Sequence, residues 1–343
     1  MFDLKLLEKL CKANGISGDE HQVRDIIFEN ITNTDVSITT DALGNLIVFK
    51  KGKERPKNKL MISAHMDEIG LIATNITKDG YVKFETVGGI DSKVLPGKRV
   101  VSGNNVKGVI NSKPPHLLSE EEIKSVFKAS QLYIDIGCTR KDEAEKLIGP
   151  GDGIYFNSIF ESSNGRILSK ALDNRAGCFI LLSMINEPLP YDMYFAFVVQ
   201  EEVGLRGAKT AAYAINPDYA LVVEATTASD LPSVSKENHV CKLGGGAVVS
   251  IMDKKTIYPK ELYQLAFSCA EHTQSKIQVK TSVTGGNDAG SIHISRAGVK
   301  TLSLSVPCRY IHAPVSMVLE EDICSTLTIL KEISKRICAL SAE

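Results

Sequence analysis

Between residues 70 and 163 the chain abandons the strand–helix alternation that it shows on either side, and this interruption limits its fold more than any other feature. In that stretch short runs of Val and Ile are broken by Gly80, Gly88-Gly89, Pro96-Gly97, Gly103-Asn104-Asn105, Lys113-Pro114-Pro115 and Pro150-Gly151-Asp152-Gly153. Short strands between turn residues predict a small β-barrel or sandwich, with one helix near 140–147 after a strand from Leu132. Outside it, helices of ordinary length alternate with apolar strands, which predicts a mainly parallel sheet covered on both faces. The expected organisation is one α/β domain, residues 1–69 and 164–343, split by a β-rich insertion at 70–163.

The flanking halves give the elements. Leu4, Leu6, Leu7 and Leu10 make a helical stripe over 3–13, and Ser17-Gly18-Asp19-Glu20 has the spacing of a capping box ahead of a helix through Val23, Ile26 and Ile27. Strands are expected at 45–50, 59–64, 193–200, 219–224, 276–280 and 299–305. Helices are expected near 175–186, 205–214, 259–273 and 319–340.

Composition excludes several function classes. Lys and Arg number 40 against 41 Asp and Glu, a net charge of −1, so no overall field draws the chain to nucleic acid or anionic lipid. No apolar run approaches the ~20 residues of a membrane span. The charged first ten residues do not resemble a signal peptide, and eight scattered cysteines without a Cys-x-x-Cys fit buried, reduced thiols; both predict a cytoplasmic protein. No G-x-S-x-G or G-x-x-x-x-G-K-[ST] motif occurs, and Gly244-Gly245-Gly246 runs into a strand rather than the helix a dinucleotide loop needs.

Chemistry collects where the predicted strands end. His65 and Asp67 follow strand 59–64, Asp173 precedes the 175–186 helix, Glu201 and Glu202 follow strand 193–200, Glu224 ends strand 219–224, and His312 follows strand 299–305. Ligands of open α/β sheets bind beyond the carboxyl ends of the strands, so these seven residues are expected to converge. Two imidazoles and five carboxylates suit divalent zinc or cobalt. His65 and Asp67 are two residues apart and share one side of an extended chain, so Asp67 can orient the His65 ring. Glu201 and Glu202 are adjacent and reach one site only where the strand turns, at Gly204 and Gly207; a cation would relieve their repulsion. Each residue alone has an ordinary structural reading, as a helix cap, a strand-end charge or a loop histidine. Their coincidence argues for a site.

Ala64-His65-Met66-Asp67-Glu68-Ile69-Gly70, Lys170-Ala-Leu-Asp173-Asn-Arg-Ala-Gly, Gln200-Glu201-Glu202-Val-Gly-Leu-Arg-Gly-Ala and Arg309-Tyr-Ile-His312-Ala-Pro resemble the motifs of the M42 family of metalloaminopeptidases, which includes the tetrahedral and glutamyl aminopeptidases. Val87-Gly-Gly-Ile-Asp, Leu95-Pro-Gly-Lys-Arg-Val and Lys113-Pro-Pro-His116-Leu-Leu resemble its inserted domain. The resemblance implies a three-layer α/β/α metallopeptidase domain with a PDZ-like inserted barrel that serves dimerisation, and dimers that assemble into a dodecamer. It implies two divalent metal ions per subunit, zinc or cobalt. His65 and Glu224 would complete one site, Glu202 and His312 the other, with Asp173 bridging them, Glu201 the general base and Asp67 the partner of His65. The implied activity is removal of N-terminal residues from peptides. Rival readings are a deacylase on the same dinuclear scaffold and a non-catalytic assembly protein. The chain departs from the family pattern in carrying Glu224 where Asp is common and Gly286-Asn287-Asp288 where Gly-Thr-Asp is usual; Asp230 and Asp288 stand as alternative ligands should Glu224 not serve.

Overall fold

The computed structural model describes residues 2–340. The α/β part carries strands β1 (Val36–Thr40), β2 (Leu46–Lys50) and β3 (Leu60–His65) after helices α1 (Leu4–Lys12) and α2 (His21–Glu29). The insertion supplies β4 (Gly70–Ile76), β5 (Val82–Val87), β6 (Arg99–Ser102), β7 (Lys107–Asn111), β8 (Tyr133–Asp135) and β9 (Gly153–Phe156), with short helices α3 (Glu120–Lys124) and α4 (Lys141–Ala144). The chain then continues through β10 (Glu161–Ser163), β11 (Arg166–Ser169), α5 (Leu172–Ile185), β12 (Met193–Val198), α6 (Arg206–Ile215) and β13 (Tyr219–Thr227). It closes with β14 (Ala247–Val249), α7 (Lys260–Thr273), β15 (Ile277–Val279), α8 (Ala289–Ile292), β16 (Lys300–Cys308), β17 (Ser316–Leu319) and α9 (Glu320–Ala339).

The main sheet has the order β1-β2-β12-β3-β13-β16-β14-β15. Its centre, β12-β3-β13-β16, is parallel, whereas β1 with β2, β2 with β12, and β14 with β16 pair antiparallel. The expectation of a mainly parallel sheet describes that centre; taken whole, the sheet is mixed. The cause on one flank is local: Asp41 accepts from the N–H groups of Leu43, Gly44 and Asn45, closing a tight hairpin between β1 and β2 that leaves no crossover helix. Apolar β3 and β13 are buried nearly throughout, as strands covered on both faces must be. Helices α1, α5, α7 and α9 form one contacting layer, and α6 and α8 another.

The insertion closes into a six-stranded antiparallel barrel, β4-β5-β8-β7-β6-β9, around its own core of Leu71, Val82, Phe84, Val100, Ile110 and Ile154. The barrel's last strand ends at Phe156. β10, inside the stretch assigned to the insertion, pairs with β11 and through it with β17 in a separate three-stranded sheet. The Tyr155 hydroxyl of β9 donates to Asp19 and ties the barrel to the first loop of the α/β part.

The capping box does not form. Ser17 Oγ donates instead to Asp67 Oδ2 at 2.7 Å, and Glu20 Oε1 accepts from the N–H groups of Gly18 and Gln200. The long-range partners outcompete the local cap, and α2 starts without a side-chain cap. The cysteine expectation fares better: all eight are free, and only Cys138 and Cys324 are not buried.

Beneath β3 lies a charged knot. Arg175 is fully buried; its guanidinium donates to the carbonyls of Leu10 and Ala13 at the end of α1, of Gly15, and of Met66 at 2.8 Å. Glu68 Oε1 sits 2.7 Å from Lys170 Nζ and 3.4 Å from Arg175 Nη2. Arg175→Met leaves four main-chain carbonyls without this donor and Glu68 with one cation. A loss of about 3–5 kcal/mol of stability is expected, the scale for breaking a buried ion pair. Denaturant unfolding of the two proteins measures it, and a loss below about 1 kcal/mol would show that water or Lys170 replaces the guanidinium.

Candidate metal centre

Four adjacent parallel strands deliver the site to one edge of the sheet. His65 is the last residue of β3; Glu201 and Glu202 follow β12; Glu224 lies near the end of β13; His312 follows β16. β13 runs on to Thr227, three residues past its expected end. Asp173 arrives differently: the strand before it is β11, in the small sheet, so the expectation that all seven residues sit at strand ends of one sheet fails for this one. Asp173 and Asn174 have non-helical backbone within α5, joined by a cis peptide. Asn174 ties this turn to β13, donating to Val223 O at 2.7 Å, and accepts from Gly177 N as a helix cap does. The capping role considered for Asp173-Asn174 thus falls to Asn174, and Asp173 is left to face the site.

At the end of β12 the chain turns sharply, with Gln200, Gly204 and Leu205 all at positive φ. Asp67 fixes that turn: its carboxylate accepts from the N–H groups of Glu201 and Glu202, both at 3.0 Å, and from Ser17. A Cβ on Gly207 would collide with the main chain of Val199, so only glycine lets α6 begin this close to the strand. The His65 ring is oriented through Nδ1, 3.0 Å from the main-chain oxygen of Asp67 and 3.4 Å from its carboxylate. Asp67 therefore positions both the imidazole and the paired glutamates. Burial alone would raise its pKa; hydrogen bonds from His65, Ser17 and Glu201 hold it below the ordinary range.

Two clusters result. His65, Asp173 and Glu224 bring ligand atoms within 4.8 Å of one another, and so do Asp173, Glu202 and His312. His65 Nε2 is 3.0 Å from Glu224 Oε1 and 3.3 Å from Asp173 Oδ1. His312 Nε2 is 3.4 Å from Glu202 Oε2 and 3.7 Å from Asp173 Oδ2. The two oxygens of Asp173 thus point to different histidines. Glu201 lines the same cavity as His65, Asp173, Glu224 and His312 without belonging to either cluster.

The electrostatics suit cations. Burial pushes the carboxyls of Glu201, Glu202 and Glu224 up, and neighbouring carboxylates add to the shift while His65 opposes it. Burial favours the neutral His65 ring, but Glu224, Asp173 and Asp67 outweigh it and lift its pKa well above normal. Glu224 Oε1 meets only the His65 ring, at 3.0 Å, and the buried Oε2 has no hydrogen-bond partner. Buried carboxylates without donors are costly unless a cation meets them. A donor set of imidazole and carboxylate fits divalent cations, and the longer Glu224 side chain reaches its cluster.

Two neighbours of the site, Gly88 and Gly89, were not legible in the sequence, whereas Asp230 and Asp288 were named there as alternative ligands. Gly88 and Gly89, expected only as a turn, bring the barrel against the site: a Cβ on Gly88 would lie 3.3 Å from Glu202 Cβ, and one on Gly89 3.3 Å from His312 Nδ1. Asp288 is fully buried with both oxygens unpartnered, and burial followed by the charge of Glu224 raises its pKa well above normal. Asp230, the other alternative ligand, is engaged by Arg309 through two 2.7 Å contacts and braces the loop that carries His312.

Glu224→Ala is expected to weaken one of two metal-binding events in calorimetric titration of metal-free protein. The loss should exceed the ~10–100-fold typical of an outlying partner, with the second event kept. Two unchanged events would transfer the ligand role to Asp288.

Residues 44–329 match the M42 glutamyl aminopeptidase family. The chain is 31% identical to a lysyl aminopeptidase of Pyrococcus furiosus, covering 96% of each protein, and 30% identical to a glutamyl aminopeptidase of Lactococcus lactis, covering 95% of this chain and 94% of the relative. The TET1 peptidase of Pyrococcus horikoshii, described as assembling into a tetrahedron or a large octahedral shell, superposes with a TM-score of 0.85 at 36% identity over 96% of this chain and 98% of that one. With a family match across most of its length and the site at the expected edge of the sheet, the chain belongs to the M42 family of aminopeptidases, which are peptide hydrolases.

Proposed function

We propose that the protein is a two-metal aminopeptidase that cleaves the first peptide bond of its substrates. The observation that carries this reading is the orientation of Asp173, one oxygen toward His65 and the other toward His312, each histidine with its own carboxylate. His65 and Glu224 would hold one ion, Glu202 and His312 the other, and Asp173 both. When bound, such a pair of ions polarises a carbonyl and acidifies a water molecule.

The chain's own residues do the rest. Glu201 Oε, desolvated and raised in pKa, accepts the proton of the attacking water and returns it to the leaving amine. Burial makes this carboxylate a stronger base than an exposed glutamate. Asp67 keeps Glu201 in place through its main-chain N–H, and keeps the His65 ring turned through its carbonyl. Gly88 and Gly89 bring the barrel against the Glu202–His312 side. A deacylase using the same groups would cleave acetylated substrates, so comparing free and acetylated aminoacyl-p-nitroanilides separates the two.

Glu201→Gln should retain both metals by elemental analysis while kcat falls by at least the ~10²–10⁴-fold of a lost general base. An emptied site in that variant would make Glu201 a ligand instead.

The barrel would serve dimerisation, and the dimers would close into a larger shell, as described for the P. horikoshii relative. Light scattering at micromolar protein should then give a particle several times 37.3 kDa. A monomer peak would remove the assembly from this reading but not the chemistry. Among the described residues no helix is long and apolar enough to cross a membrane.

A further inference from the structure

Between the end of β12 at Val198 and the start of α6 at Arg206 the chain leaves regular structure. Four successive N–H groups there donate to side chains from distant parts of the sequence. Val199 N meets Asn45 Oδ1 at 2.9 Å, Gln200 N meets Glu20 Oε1 at 3.1 Å, and Asp67 takes both Glu201 N and Glu202 N. Asn45 also donates to Gly207 O and Thr210 Oγ1, which seats the first turn of α6 on the strand. Glu20 serves neither its own helix nor the metal clusters: α2 begins without its side chain, and it belongs to neither group of ligands. Its carboxyl is buried, and burial pushes its pKa up to about 7 against the pull of the Gly18 N–H. A carboxyl taken out of water is a cost that hydrogen bonds must offset, and those of Glu20 go to Gly18, in its own loop, and to Gln200, beside Glu201. Gln200 has φ 56°, a conformation that a residue other than glycine keeps only when its surroundings impose it. Its side chain is engaged by Arg206, and among the described residues that line the cavity Glu201 appears and Gln200 does not. What Gln200 gives the site is its backbone.

We propose that Glu20 is a positioning residue for Glu201: by holding the Gln200 N–H it sets the backbone turn that aims the Glu201 carboxylate. The inference rests on Glu201 as general base and adds the group that places it. Asp67 takes the N–H groups of Glu201 and Glu202 together, so by itself it fixes them as one unit. The approach to that unit runs through Gln200, and Glu20 secures it from a different element. The loop that carries Glu20 is itself held, with Gly15 N donating to Glu68 and Ser17 Oγ to Asp67. The two glutamates depend on this brace unequally. Glu202 belongs to a cluster, where a bound cation would hold its carboxylate, whereas Glu201 belongs to neither and keeps its aim through its backbone. A general base must stand within hydrogen-bond reach of the proton it takes, and a misplacement of about 1 Å can cost ~10²-fold in rate. Loss of Glu20 should therefore fall on kcat and spare metal binding and KM. Gln200 needs an acceptor oxygen rather than a charge, so an amide in place of the carboxyl should serve.

The test is a double-mutant cycle between Glu20→Ala and Glu201→Gln. It reads kcat and KM on the best-cleaved of a panel of aminoacyl-p-nitroanilides, and metal binding by calorimetric titration of metal-free protein. Alone, Glu20→Ala should keep both metal-binding events and the native KM while kcat falls about 10–100-fold. Glu20→Gln, which keeps the acceptor oxygen, should restore most of kcat. In the Glu201→Gln background Glu20→Ala should cost little further, because the group it aims is already gone. A purely structural role would lower the folded fraction in either background and leave kcat of the folded, metal-loaded enzyme unchanged. That result overturns the proposal, as does an equal loss of kcat in both backgrounds, a lost metal-binding event, or a failure of Glu20→Gln to restore the rate. If Glu20→Ala does not fold, Glu20→Asp, whose shorter side chain withdraws the acceptor from Gln200, enters the same cycle. An unchanged kcat in Glu201→Gln alone removes the general-base reading and the proposal with it, whereas the other adverse outcomes leave that reading standing.

Discussion

The buried knot of Arg175, Glu68 and Lys170 is the interaction on which the rest of the structure depends. Arg175 stands two residues after Asp173, and its guanidinium holds the carbonyl of Met66, the residue between His65 and Asp67. Glu68 follows Asp67 and accepts from Gly15 N and Lys170 Nζ. One cluster therefore fixes the α1–α2 loop, the end of β3 and the start of α5 relative to each other. Water would be a poor substitute, since the planar guanidinium serves several carbonyls in fixed directions. The end of α1, where carbonyls lack helical partners, welcomes that cation for the same electrostatic reason.

On the solvent side of this knot the balance reverses. Three glutamates and Asp173 crowd a site that is largely buried, and Glu224 Oε2 has no donor at all. Such a cluster would serve as a preorganised cage for cations, because the cost of assembling the carboxylates is met when the protein folds and would be recovered when a cation bound. Asp67 shows how the cage is kept rigid. It touches neither cluster through a ligand atom, yet it holds the backbone of both glutamates and the ring of one histidine. The positive φ of His312, 58°, is sustained by neighbours in the same way: Arg309 anchors its loop to Asp230, and Gly89 packs on its ring.

The inserted barrel bears on the site itself. It has a core of its own, but Tyr155 latches it to Asp19, and Gly88-Gly89 reach the Glu202–His312 cluster.

The alternation of strands and helices, the break at residue 70 and six of the seven candidate residues at strand ends were legible in the chain itself, whereas the return was set at 164 and β10 already leaves the barrel at 161. Each rests on local chemistry: period-two apolar runs, turn residues, and charged groups placed where an apolar strand stops. Local chemistry also misled. Ser17 and Glu20 have the spacing of a capping box, but Asp67 and Gln200, far away in sequence, offered better partners. Tertiary structure alone decided that β2, β14 and β15 run against the central strands, that Asp173 enters from a second sheet, and that Gly88-Gly89 lie against Glu202 and His312. It also decided that Asp288 is buried without a donor. A sequence records which side chains follow one another along the backbone. Which of them meet across 50 or 100 residues is set by how the hydrophobic faces pack, and hydrogen bonds and charges then select among the partners that packing brings together.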